Sequence, residues 1–163
     1  MYMKFKLICL IAVMAVLCMP VVSNAQSVKP IQIALFTPIQ IHDSESSISG
    51  IRINFIYSVN KDLTGYDVGF INRLTGDLNG AQGGFVNIVD GNVMGMQGSW
   101  INITKGSVTG FQSGLYSRCD NMSGLQLGLV NHTNRLKGLQ IGLVNLNMSG
   151  DPHTFLPIVN WSF

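Results

Sequence analysis

Apolar and polar positions alternate through an eight-residue phrase that the chain restarts seven times between Gly50 and Asn145; the last two copies read GLQLGLVN (124–131) and GLQIGLVN (138–145). Earlier copies begin at Gly50, Gly65, Gly80, Gly95 and Gly110, so the steps are 15, 15, 15, 15, 14 and 14 residues. With the leading glycine as position 0, positions 1, 3 and 5 hold residues such as Tyr66, Val68 and Phe70, or Leu139, Ile141 and Leu143. The other parity holds Gly138, Gln140, Gly142 and Val144. A period of two belongs to β-strands, here with one apolar face and one face of glycine, glutamine and a β-branched residue. An internal repeat of this kind defines the architecture before any single residue does.

Between the phrases lie Thr75-Gly76, Asp90-Gly91 and Lys105-Gly106, at positions 10 and 11, a chemistry suited to tight hairpin turns. Hairpins centred there set Gly69 opposite Gln82, Gly84 opposite Gln97 and Ser99 opposite Gln112. Each glutamine then meets a small residue, and the 14-residue steps shorten the turn without turning the faces over. The expectation is an all-β fold: an antiparallel meander of about 8–9 strands, closed as a small barrel because an open meander leaves unpaired edges. The glycine and glutamine face would line the inside, and Phe55, Phe70, Phe85, Trp100, Leu115, Leu129 and Leu143 would meet lipid. Two features fit a barrel poorly: Gly83, Gly98 and Ser113 fall in mid-band, and three apolar positions per strand are few for a band of roughly 25 Å. The competing architecture is a parallel β-solenoid, with the apolar face as dry core and Gln and Asn stacked in ladders.

Residues 1–25 read as a secretory signal peptide: Lys4 and Lys6 precede an apolar run from Leu7 to Val22, and Ser23 and Ala25 occupy the small-residue positions of a cleavage site before Gln26. Residues 26–163 then form a single β-repeat domain. Removing the signal takes two of the ten Lys and Arg, which leaves eight basic residues against eight acidic ones and gives no electrostatic pull toward nucleic acid. Cys9 and Cys18 leave with it, so Cys119 remains alone, read as a small residue in a turn with no intrachain disulfide to make. Charged residues are only 11% of the chain and its mean hydropathy is +0.32, which is apolar for an exported domain.

The run of G-x-Q-x-G-L-V-N units, the opening Ile31-Gln32-Ile33-Ala34-Leu35-Phe36 and the closing segment Phe155 to Phe163 resemble the bacterial surface-repeat family, exported proteins of Gram-negative bacteria. The resemblance covers essentially the whole mature chain. It implies an exported, envelope-associated β-repeat protein, at the outer membrane or cell surface, of no defined activity. Some members carry a polyester-synthase label, which this sequence does not support. That chemistry needs a nucleophilic cysteine on a strand-to-helix elbow with His and Asp partners, whereas Cys119 sits in Ser117-Arg118-Cys119-Asp120-Asn121.

Other chemistry is equally weak. His42, His132 and His153 lack the paired spacing of a metal site. Asp77, Asp90, Asp120 and Asp151 sit where turns favour aspartate. Gly-x-Gln-x-Gly is not followed by the Lys-Ser/Thr or the helix of a phosphate loop. Asn102, Asn131 and Asn147 begin N-x-S/T triplets that coincide with the repeat. No catalytic, cofactor-binding or metal residue is assigned, and no cofactor is expected. The function expected is that of a non-enzymatic cell-envelope protein, a structural or small-pore outer-membrane β-barrel with outer membrane lipid as partner. The alternative is a surface-exposed solenoid serving as binding scaffold or adhesin through its Gln and Asn face.

Overall fold

The computed structural model describes residues 29–163. The signal peptide and its cleavage site before Gln26 lie outside the described residues. The strands are β1 (Lys29–Phe36), β2 (Ile39–Gln40), β3 (Ile48–Asn60), β4 (Leu63–Leu74), β5 (Leu78–Val89), β6 (Val93–Thr104), β7 (Ser107–Asn147) and β8 (Phe155–Ser162). They form one sheet in the order β2-β1-β3-β4-β5-β6-β7-β8. From β1 to β7 every neighbour is parallel; only β2 and β8, at the two ends, are antiparallel.

This overturns the meander and the barrel. The chain is a β-solenoid of about six turns, each repeat forming one coil on the one before. Gln82 pairs with Gln97 and Gly69 with Gly84, where hairpins would have set Gly69 against Gln82. Parallel stacking in register places identical side chains over one another, so each glutamine amide finds both a donor and an acceptor in its neighbours. An antiparallel register would have set those amides against glycines inside the molecule, where an unpaired polar group is costly.

The glycines explain the coil. At position 0, Gly50, Gly65, Gly80, Gly95, Gly110, Gly124 and Gly138 all have φ between +130° and +148°, a region closed to side-chain-bearing residues. A Cβ at any of the last six would run into the carbonyl oxygen of the position-0 glycine one coil earlier. The Thr-Gly, Asp-Gly and Lys-Gly pairs are not hairpin turns. Gly76, Gly91 and Gly106 stack on one another at the coil corner, with Gly91 N–H donating to Gly76 O (3.0 Å) and Gly106 N–H to Gly91 O (3.1 Å). Beside them, Asp62, Asp77 and Asn92 accept through Oδ1 from the backbone N–H of Asp77, Asn92 and Ser107 (2.9, 2.7 and 3.0 Å). The later, 14-residue coils turn through Asp120-Asn121 and Asn134-Arg135, which stack on one another, and β7 runs through three coils as one 41-residue strand with the glutamine column in register.

Buried positions fall at −2, 2, 7 and 9. Positions −2 and 9 supply the apolar core: Ile48, Leu63, Leu78, Val93, Val108, Met122 and Leu136 on one side, Leu74, Val89 and Cys119 on the other. Cys119 is thus a core residue within β7, not a turn residue. Position 2 holds the glutamine column and position 7 the asparagine column, both fully buried. The amide face lies inside, as expected for the barrel and not for the solenoid. The solenoid expectation that the apolar face would form the dry core is corrected: positions 1, 3 and 5 point outward.

Candidate interaction surface

The interior fixes how firmly the outer surface is held. Along position 2, Gln140, Gln126, Gln112 and Gln97 each donate Nε2–H to the Oε1 of the glutamine one coil earlier, at 2.8, 2.8, 2.9 and 2.9 Å. Gln82 donates to Asp67 Oδ2 at 2.7 Å, and Arg52 closes the column with Nε and Nη2 on the two Asp67 oxygens at 2.8 and 2.6 Å. Both charged side chains are fully buried. A carboxylate only accepts, so Asp67 forces Gln82 to present its NH₂, and that choice sets the direction of every amide above it. Such chains polarise one another and stiffen.

The asparagine column runs the other way. Asn54 donates to Asn72 Oδ1, Asn72 to Asn87 Oδ1 (2.9 Å) and Asn87 to Asn102 Oδ1 (3.1 Å). It thins at Ser117, which accepts from Asn102 at 3.4 Å, and resumes where Asn131 donates to Asn145 Oδ1 at 2.8 Å. Asn131 Oδ1 is left without a partner.

On this frame stands the outer face. Position 1 carries Ile51, Tyr66, Ala81, Met96, Phe111, Leu125 and Leu139; position 3 carries Ile53, Val68, Gly83, Gly98, Ser113, Leu127 and Ile141; position 5 carries the row from Phe55 to Leu143. None of the twenty-one is charged and none is buried. Trp100 is 58% exposed and Leu143 66%. Ile31 and Ile33 of β1, and Trp161 and Val159 of β8, pair with positions 1 and 3 of the first and last coils and extend the face at both ends. Phe70 and Phe85 stack with centroids 5.0 Å apart, and Phe85 and Trp100 lie 4.7 Å apart, making an aromatic ridge along the coil axis. Beside that ridge Gly83, Gly98 and Ser113 form a depression. A Cβ on Gly83 would find no atom within 3.8 Å and one on Gly98 none within 3.6 Å, so neither glycine is there for want of room. Position −1, with Ser49, Thr64, Asn79, Thr109, Ser123 and Lys137 and the exposed Met94 among them, gives the face a mostly polar edge on one side.

The residues weighed for chemistry remain apart. His42, His132 and His153 lie on β2's flank, in β7 and before β8, and no group of three or more His, Cys, Asp or Glu among the described residues could hold a metal ion. His132 titrates below its usual range because burial, and then the Arg118 charge, disfavour its cation. Burial pushes the Cys119 thiol up to about 12, so it stays protonated at neutral pH. Asp90 bridges Lys105 (2.7 Å) and Arg73 (3.0 Å) on the coil exterior, and these partners, Lys105 first, hold its carboxyl below the usual range. Asn102, Asn131 and Asn147 are fully buried and serve as ladder and corner residues, closed to glycan transfer.

Sequence reading missed the Arg52–Asp67 pair and the apolar rows at −2 and 9. The pair had a signal: both occupy position 2, fifteen residues apart, where every later copy has Gln. No family model, no curated protein and no solved structure matches the chain.

Proposed function

We propose that this protein is a non-enzymatic, exported binding scaffold of the cell surface, which docks through its outward apolar face. The observation that carries the reading is that face: uncharged, unburied, and mounted on a column of coils whose interior amides lock every row in register. Exposed apolar patches beyond a few hundred Å² mark interaction sites. The Gln and Asn face assigned to binding from sequence is interior, so it supports the scaffold and touches no ligand. The outer-membrane pore reading falls with the barrel.

The test is display. Intact Gram-negative cells producing the full chain are treated with a membrane-impermeant amine reagent; since exposed Lys137 stands at the edge of the face, labelling is read by peptide mass at the exposed Lys61 and Lys105. Both lie at coil corners, away from the apolar face, so labelling reports location independently of docking. Labelling of intact cells is the expected result; labelling only after lysis overturns surface display.

A further inference from the structure

We propose that the notch at the coil corner between Arg118 and Asn134 is a binding site for a small aliphatic carboxylate, whose head takes the place of a side-chain carboxylate that an earlier coil supplies. The site lies off the apolar face and does not rest on the reading of that face.

On this side of the coil the side chains of positions 8 and 10 stand outward on either side of position 9, which is buried. Two walls therefore run along the coil axis with a groove between them. In an earlier coil the groove is bridged. Arg73, at position 8, reaches across it to Asp90, at position 10 of the next coil, with Nη2 donating to Oδ2 at 3.0 Å. The same step along the repeat leads from Arg118 to Asn134, since Arg118 is position 8 of its coil and Asn134 is position 10 of the next. The carboxylate has become a neutral amide, and its Nδ2 is turned to Asp120. Among the described residues the Arg118 guanidinium makes no ion pair and no hydrogen bond. Here the groove stands open as a cavity of about 290 Å³, with Ile103 and Arg118 on one wall, Lys105, Asp120 and Asn134 on the other, and Thr104 and Cys119 beneath.

The charges decide the kind of ligand. Lys105 spends its ammonium on Asp90 at 2.7 Å. Asp120 stands as an acid on the far wall, its two oxygens taken by the amides of Asn134 and Asn121. One cation is left to bind with, so the notch takes one negative charge, and a phosphate dianion would face Asp120 with a charge unmatched. A guanidinium presents two parallel N–H donors, which match the two oxygens of a carboxylate. Beside that head, Ile103 and the methylenes of Lys105 offer apolar surface to a short alkyl tail. The neighbouring histidine registers the unanswered charge. His132, at position 8 of the coil after Arg118, titrates below its usual range through burial first and the Arg118 charge second. A bound carboxylate cancels the second effect.

The experiment is an NMR titration of the exported chain with sodium butyrate at constant ionic strength, reading the Arg118 Nε–H and His132 ring signals. The expected result is an Arg118 shift that saturates in the millimolar range, and a His132 midpoint that rises toward its ordinary value as butyrate is added. Two variants test the assignment. Arg118→Gln removes the fork, so its His132 midpoint is raised from the start and butyrate no longer moves it. Asn134→Asp restores the carboxylate that Arg73 has, closes the groove with an internal ion pair and abolishes the butyrate response. Both positions are exposed, and circular dichroism verifies that the variants fold. Butyrate shifts that never saturate overturn the proposal, as do shifts of His132 that persist in Arg118→Gln or in folded Asn134→Asp. Inorganic phosphate that saturates the same signals at lower concentration than butyrate overturns it too, by making the notch a phosphate site.

Discussion

The glutamine and asparagine columns occupy the same interior, repeat at the same interval and use the same functional group, yet one is continuous and the other is interrupted. The glutamine column links five consecutive amides at 2.7–2.9 Å and ends on a carboxylate neutralised by Arg52. The asparagine column loses its sequence at Ser117, whose hydroxyl accepts at 3.4 Å and leaves Asn131 Oδ1 unsatisfied. Continuity therefore needs two things: side chains of equal reach in every coil, and an acceptor-only group at one end to set the direction. The glutamine column has both.

The comparison breaks most sharply at its charged end. Asp67→Ala should destabilise the fold by roughly 3–5 kcal/mol in urea unfolding, because it leaves Arg52 buried without its counter-charge. The double substitution Arg52→Gln with Asp67→Gln should recover most of that loss by continuing the amide column; a double variant as unstable as the single would show that the charge is needed for its own sake. Next comes the middle of the column. Gln97→Ala removes the acceptor of Gln112 and Thr104 and the donor to Gln82, an expected loss of about 2–4 kcal/mol, while Ser117→Ala should cost under about 1 kcal/mol. Equal costs at the two positions would mean that ladder continuity contributes nothing.

Ser117→Asn sharpens the contrast in the opposite direction. An amide at 117 has the reach to accept from Asn102 and donate to the orphaned Asn131 Oδ1, and thermal unfolding should rise by the equivalent of about 1–2 kcal/mol. The smallest effect concerns Cys119, which lies within 3.5 Å of Gln126 Nε2 and titrates near 12 instead of its ordinary value near 9. A folded pKa raised above the unfolded one contributes stability that is complete below about pH 8.5 and is lost as the pH rises toward 12. The urea midpoint should therefore fall more steeply above pH 9 in the parent than in Cys119→Ser, and a thiol reagent at pH 8 should react only at the rate of unfolding.

The alternation of the repeat made the two faces legible but not which one is buried: the barrel put the amides inside and the solenoid put the apolar face there, and in the structure Gln97 is inside and Trp100 outside. Strand pairing was not legible, because a repeat of constant spacing satisfies two registers. One sets Gln97 against Gly84 and the other against Gln82, and the turn residues do not decide between them. Thr75-Gly76 serves a coil corner as readily as a hairpin, and the glycines that need positive φ are those at position 0, hidden in a strand pattern where the sequence gives no sign of it. The core at Leu63 and Leu74 fell outside the eight-residue phrase and escaped notice for that reason. The outer face was legible as an apolar stripe, but its relief was read as a defect in a lipid-facing band.

The two turn lengths bear on how such a molecule changes size. Since coils of 14 and 15 residues stack without disturbing the glutamine column, a whole coil behaves as a unit of insertion or loss. Deleting residues 95–109 would bring Gln112 onto Gln82 and Asn87 under Ser117, with no frame to repair. The coil that carries Asp67 is different, because its removal would strand Arg52 beneath a neutral amide. Variation in repeat number is thus open between Gly80 and Gly138 and closed near the first coil, so a lineage of such proteins would lengthen and shorten from the middle.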